Sequence, residues 1–107
     1  MLTRDDVRAA ALSMPEAYEA SHFDVQDFRV NRKIFCTLHA DQPRMVLKLD
    51  PEDAHNLVDG EAIQPVGGSW GGKGWTFVWY EKLEPHRLPG LMRMAWATVA
   101  PKRLLKA

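Results

Sequence analysis

The hydrophobic positions of this chain change period twice, and the changes mark its elements. Val7, Ala10, Ala11 and Met14 recur at helical spacing. Thr3 stands where an N-cap would, Asp6 follows three residues later in a capping-box-like position, and Pro15 ends the helix. After a short extended stretch, Tyr18 to Phe23, the pattern becomes period two. Phe28 and Val30 alternate with Arg29, Asn31-Arg32 predicts a tight turn, and Ile34, Cys36 and Leu38 then alternate with Lys33, Phe35, Thr37 and His39. A second turn at Asp41-Gln42-Pro43 leads to Met45, Leu47 and Leu49, alternating with Arg44, Val46 and Lys48. This predicts a three-stranded meander.

Asp50-Pro51-Glu52-Asp53 is a helix start, since Asp can cap, proline is tolerated at the first helical position and acids suit the positive end of the dipole. That helix ends near Gly60. Ile63 to Val66 can form a brief strand, and Gly67 to Gly74 is expected to be a loop because five of the seven glycines fall there. Trp75 to Tyr80 reads as a strand on its aromatic and β-branched content. Leu88, Leu91, Met92, Ala95 and Val99 trace one face of a last helix that stops before Pro101, with Pro89 near its first turn. The predicted fold class is α+β: an antiparallel sheet with the N- and C-terminal helices packed on one face.

The length of 107 residues, with 46% hydrophobic and 26% charged positions, fits one domain spanning residues 1–107. A chain this short buries one core and leaves no room for a large enclosed chamber, so any site is expected to be shallow or at a sheet edge. No stretch reaches the length of a membrane span, no signal-peptide pattern opens the chain, and the single cysteine, Cys36, fits a reducing compartment. A cytoplasmic, monomeric protein without membrane association is expected.

The 14 basic and 14 acidic residues cancel, yet unevenly. Residues 1–27 set Arg4 and Arg8 against Asp5, Asp6, Glu16, Glu19, Asp24 and Asp27, and residues 50–61 hold five acids and no Lys or Arg. Residues 28–49 reverse this, with Arg29, Arg32, Lys33, Arg44 and Lys48 against Asp41. If Phe28, Val30, Ile34, Cys36, Leu38, Met45, Leu47 and Leu49 face the helices, Arg29, Lys33, Arg44 and Lys48 face the other way, joined by Phe35 and Val46. A cationic sheet face with apolar area suits a phosphate backbone with occasional base or sugar contact. The alternative is a solvated face whose charges keep the sheet soluble and blunt its edges.

Gly67 to Gly74 superficially resembles a phosphate loop, but Gly74 stands where Ser or Thr would hold magnesium, and a strand rather than a helix follows. Nucleotide hydrolysis is excluded on that ground. Trp70 and Lys73 could still form a wing that stacks on a base and meets a phosphate; the alternative is a hairpin loop with Trp70 folded onto the core. Cys36 and His39 lie on opposite faces of a strand, and His22 and His55 lack partners at helical spacing, so no metal site is expected. The alternation around Cys36 implies burial rather than nucleophilic duty. No nucleophile, base and oxyanion donor can be assembled, so neither enzyme activity nor a cofactor is expected.

Several short motifs in a fixed order resemble the MmcQ/YjbR-like family of small bacterial proteins. They are Met14-Pro15-Glu16-Ala17, Ser21-His22-Phe23, Phe28-Arg29-Val30, Lys33-Ile34-Phe35, Leu47-Lys48-Leu49-Asp50-Pro51-Glu52, Trp70-Gly71, Gly74-Trp75-Thr76, Ala95-Trp96 and Ala100-Pro101-Lys102-Arg103-Leu104. The resemblance implies a CyaY-like (frataxin-like) α+β sandwich and DNA binding, the latter by fold-level analogy. It carries over no catalytic residues. Its motif positions Arg29, Lys33, Lys48, Trp70, Gly74 and Trp75 fall on the hairpin, the third strand and the glycine segment. The expected function is therefore DNA binding, with double-stranded DNA contacted mainly at phosphates by Arg29, Arg32, Lys33, Arg44 and Lys48, and by Trp70 and Lys73 as a wing. The alternative is a frataxin-like metal or small-molecule binder, or a protein-interaction module docking through the sheet.

Overall fold

The computed structural model describes residues 1–22 and 25–106; Phe23, at the end of the predicted extended stretch, and Asp24, among the N-terminal acids, lie outside the described residues. Helix α1 (Arg4–Leu12) starts as its sequence dictates: the Thr3 hydroxyl accepts from the Asp6 amide at 3.2 Å and the Asp6 carboxylate accepts from the Thr3 amide at 2.8 Å. Strands β1 (Tyr18–His22), β2 (Val25–Val30), β3 (Lys33–Leu38) and β4 (Met45–Lys48) follow as an antiparallel meander. The meander thus has four strands rather than three, because the extended stretch after α1 pairs along β2 as an edge. Asn31 and Arg32 both take positive φ (53° and 65°), as a two-residue hairpin turn between right-twisted strands requires.

Helix α2 (Pro51–Leu57) is capped by Asp50, whose side chain accepts from the Glu52 amide at 3.0 Å. Strand β5 (Ile63–Pro65), the single helical turn α3 (Ser69–Gly72) and strand β6 (Trp75–Val78) come next, then two 3-10 turns, helix α4 (Leu88–Val99) and the short α5 (Lys102–Leu105). The glycine segment is therefore not all loop: residues 69–72 close one turn of helix. The six strands form one sheet in the order β1-β2-β3-β4-β6-β5, all neighbours antiparallel, so that β6 passes between β4 and β5.

Helix α4 packs across β2, β3 and β4 and against α1, burying Leu91, Met92, Ala95 and Trp96 with Phe28, Leu38 and Leu47. Both principal helices therefore cover one face and leave the other open, as expected for the α+β class. The strict alternation predicted in β3 fails at one point. Phe28 pairs with Cys36 but Arg29 pairs with Ile34, so Phe35 is the extra residue of a β-bulge. Phe35 turns into the core, fully buried, while Ile34, expected there, is only half-buried and shares the face of Arg29.

Candidate functional site: the open face of the sheet

Register decides what the open face carries. Thr37 pairs with Val46 and Val46 with Phe77, while Lys48 pairs with Trp75, so three strands bring these side chains onto one surface. Thr37, Val46, Trp75 and Phe77 line a shallow groove of about 350 Å³ together with His39, Arg44, Val66 and Trp70, and Lys48 stands beside its Trp75 end. Val46 forms its nearly buried floor, as the alternation predicted. The aromatic residues of β6 and its exit, Trp75, Phe77 and Trp79, were not assigned to the site from sequence. Their i, i+2, i+4 spacing is the signal that could have found them.

Arg44 occupies one end of the groove. Its guanidinium carbon lies 4.1 Å from the Phe77 ring centroid and 5.3 Å from that of Trp79, and its Nε donates to His39 Nδ1 at 2.7 Å. His39 also meets the Phe77 ring edge-on, 6.2 Å between centroids and 67° between planes. An imidazole nitrogen that accepts from Arg44 must be unprotonated. Partial burial lowers the His39 pKa below its usual value, the Arg44 and Arg4 charges add to this, and Asp41 opposes them. Because the folded pKa is depressed, this contribution to stability is complete above the unfolded value of about 6.5 and is lost as pH falls through the lower folded value. Melting temperature is expected to drop between pH 7 and 5.5 by more in the wild type than in His39→Gln; equal drops would show that the Arg44–His39 bond is not the titrating element.

Trp70 and Trp75 occupy the other end. Their rings meet edge to face at 6.1 Å and 72°, and Trp70, on α3, remains 57% exposed. Trp70 therefore neither joins the core nor rides on a free loop. Lys73 Nζ sits 5.4 Å from the Trp70 ring centroid, and Lys48 Nζ donates to the Lys73 carbonyl at 3.3 Å. Backbone pairing fixes this end: Val66 N donates to Trp75 O at 3.1 Å and Leu49 N to Gly74 O at 2.9 Å.

The remaining predicted cations differ from these. Arg29 lies on the open face but forms a bidentate pair with the buried Asp27 carboxylate, Nε to Oδ1 at 2.7 Å and Nη2 to Oδ2 at 3.1 Å. The hydrogen bond to Asp27 raises the Arg29 pKa further, and the two charges cancel. Arg32 and Lys33 are exposed at the β2–β3 turn, at the same end of the sheet where Lys48 closes β4 and Trp75 opens β6, but the bulge at Phe35 pairs Lys33 with the core residue Val30 and so puts it on the helix side rather than the open face expected for it. Among the described residues, Arg32, Lys33, Arg44, Lys48 and Lys73 make no ion pair. Arg29→Ala is expected to lower the melting temperature clearly more than Arg32→Ala, because it strands a buried carboxylate, and Asp27→Asn in the same chain should recover part of the loss.

Other chemistry is sparse. Burial pushes the Cys36 thiol far up, which removes the thiolate needed for nucleophilic attack. Among the described residues, no three His, Cys, Asp or Glu side chains converge as a metal site would require. Among the described residues, no helix is long and apolar enough to cross a membrane.

These features define a small α+β domain with a shallow, aromatic and cationic sheet face. The chain belongs to the YjbR family, whose model matches residues 12–98, from the end of α1 to the end of α4. It is similar to a crystal structure of a Deinococcus radiodurans protein of domain family DUF419, at 26% identity and TM-score 0.76, over 92% of this chain and 78% of that one. A crystal structure of a Pseudomonas syringae protein shares the fold at 17% identity and TM-score 0.76, over 92% of this chain and 99% of that one. No curated protein matches the chain.

Proposed function

We propose that this protein is a DNA-binding module rather than an enzyme, contacting mainly the phosphate backbone through the open face of its sheet. The observation that carries this reading is the placing of Arg44 at one end of the groove and of Lys48 and Lys73 beside the exposed Trp70 at the other, none ion-paired among the described residues, on the face that α1 and α4 leave open. Arg32, exposed at the β2–β3 turn, adds a further positive charge at the Lys48 end of the sheet. Arg29 contributes position rather than free charge, since Asp27 holds its guanidinium.

With a net charge of zero, long-range attraction to a polyanion is weak, and binding depends on this local strip. Phosphate contact displaces condensed counterions, so affinity should fall steeply as salt rises. The test is fluorescence anisotropy with labelled mixed-sequence DNA, as single strand and as duplex, from low to physiological salt. An Arg44→Ala/Lys48→Ala/Lys73→Ala variant is expected to bind more weakly, with the logarithmic salt slope reduced by about 1 for each phosphate contact removed. Absence of binding to either form at low salt, or unchanged affinity in the triple variant, would reject the reading. The alanines replace partly or fully exposed side chains, so the fold should survive; Arg29 is left intact because its loss would perturb the sheet.

A further inference from the structure

Phosphate binding explains the cations of the open face but not its rings. Trp70, Trp75 and Phe77 line one groove, an aromatic surface that a phosphate-binding strip does not require. Exposing a tryptophan to 57% gives up hydrophobic stabilisation that folding it onto the core would have gained. Arg44, laid over Phe77, adds a planar guanidinium to the same surface.

From this geometry we propose that the groove stacks unpaired nucleobases, so that the ligand of this face is single-stranded rather than double-stranded DNA. The inference rests on the DNA-binding reading above and adds which form of DNA is taken. In a duplex the flat faces of the bases are covered by their neighbours and only edges are offered, which aromatic side chains and guanidinium planes cannot exploit. An unpaired strand offers the faces themselves, and rings of any base suit such a surface. The charges are placed to match. Lys48 and Lys73 stand at the Trp70–Trp75 end of the groove and Arg44 at the Phe77–Trp79 end. Lys48, at the end of β4, lies four residues after Arg44, which precedes its first residue, about 13 Å of extended chain. A strand laid along the groove would thus meet a cation at each end with its bases turned toward the rings between them.

The test compares three labelled ligands of equal length by anisotropy at low salt: oligo(dT), a duplex, and an abasic strand that keeps sugar and phosphate but lacks bases. Oligo(dT) is expected to bind about tenfold or more tighter than the other two and to quench tryptophan fluorescence on binding. Trp70→Ala should weaken oligo(dT) by about 5- to 150-fold and leave the abasic strand unchanged. Arg44→Lys, which keeps the charge and loses the plane, should move oligo(dT) and the abasic strand in the same unequal way. If the duplex or the abasic strand binds as tightly as oligo(dT), stacking is wrong while DNA binding stands. If none of the three binds, both readings fail together.

Discussion

Gly74→Ala is expected to destabilise the protein by about 4 kcal/mol or more, lowering its melting temperature by roughly 15–30 °C. Two independent causes act at this position. Gly74 sits at φ +99°, a conformation that L side chains rarely adopt. A Cβ there would also fall 1.8 Å from the Leu49 carbonyl oxygen and 2.9 Å from its carbon. Both are backbone atoms, so no side chain can swing aside. The close approach has a purpose, because it lets Leu49 N donate to Gly74 O at 2.9 Å and so pins the start of β6 to the residue that follows β4. The buried Thr76 hydroxyl donates to the same carbonyl at 3.0 Å. Pushing these segments apart would also shift Trp75 relative to Lys48 and disrupt the groove. Gly72→Ala is the control within the same segment: it has open space around its Cβ position and lies in α3, so it should be neutral or slightly stabilising. Thermal melts followed by circular dichroism separate the two. A Gly74→Ala protein melting within a few degrees of wild type would contradict the packing described.

The helix starts at Thr3 and Asp50 and the turn at Asn31-Arg32 were legible in the chain because local chemistry determines them, within three or four residues. Phe35 departs from the alternation because a bulge is a property of two paired strands; nothing in Lys33-Ile34-Phe35-Cys36 alone says that Arg29 will skip a partner. Distance in sequence also hid the groove. Arg44, Val46 and Lys48 read as one face of a strand, but the strand that lies beside them is β6, some thirty residues later, and only the crossover order puts Trp75 and Phe77 there. The neutralisation of Arg29 could have been read, since Asp27 is two residues away on the same face of a strand. Asp27 lies just outside residues 28–49, so the charge count of that segment overstates how basic the meander is. That the positive strip is smaller than composition suggests strengthens the case for the rings as the source of selectivity. Phosphate contacts from three or four cations alone would give no preference for unpaired bases.

Trp96→Ala is expected to cost about 3–5 kcal/mol, close to the limit a domain of this size withstands. The ring is fully buried in the face of α4 that packs on the sheet, and its indole N–H donates to the Pro15 carbonyl at 3.0 Å. It therefore ties the C-terminal helix to the turn that ends α1, across 81 residues of sequence. Trp96→Phe divides the effect. Phenylalanine keeps most of the buried area and loses the hydrogen bond; Pro15 is exposed, so water can take its carbonyl and the loss should be only about 1 kcal/mol. Urea denaturation should therefore rank wild type, Trp96→Phe and Trp96→Ala in falling order, with the second step the larger. A second step no larger than the first would mean that the hydrogen bond, not the packing, holds the helix down. Because Trp96 lies on the covered side of the sheet and the groove on the open side, Trp96→Phe should leave the affinity for oligo(dT) unchanged. Trp70→Ala should show the opposite pattern, losing affinity with little change in urea midpoint, since its ring touches Trp75 and Lys73 rather than the core. The two tryptophans thus separate what maintains the sheet from what the sheet presents, and a common loss of stability and affinity in both variants would show that the groove is part of the core after all.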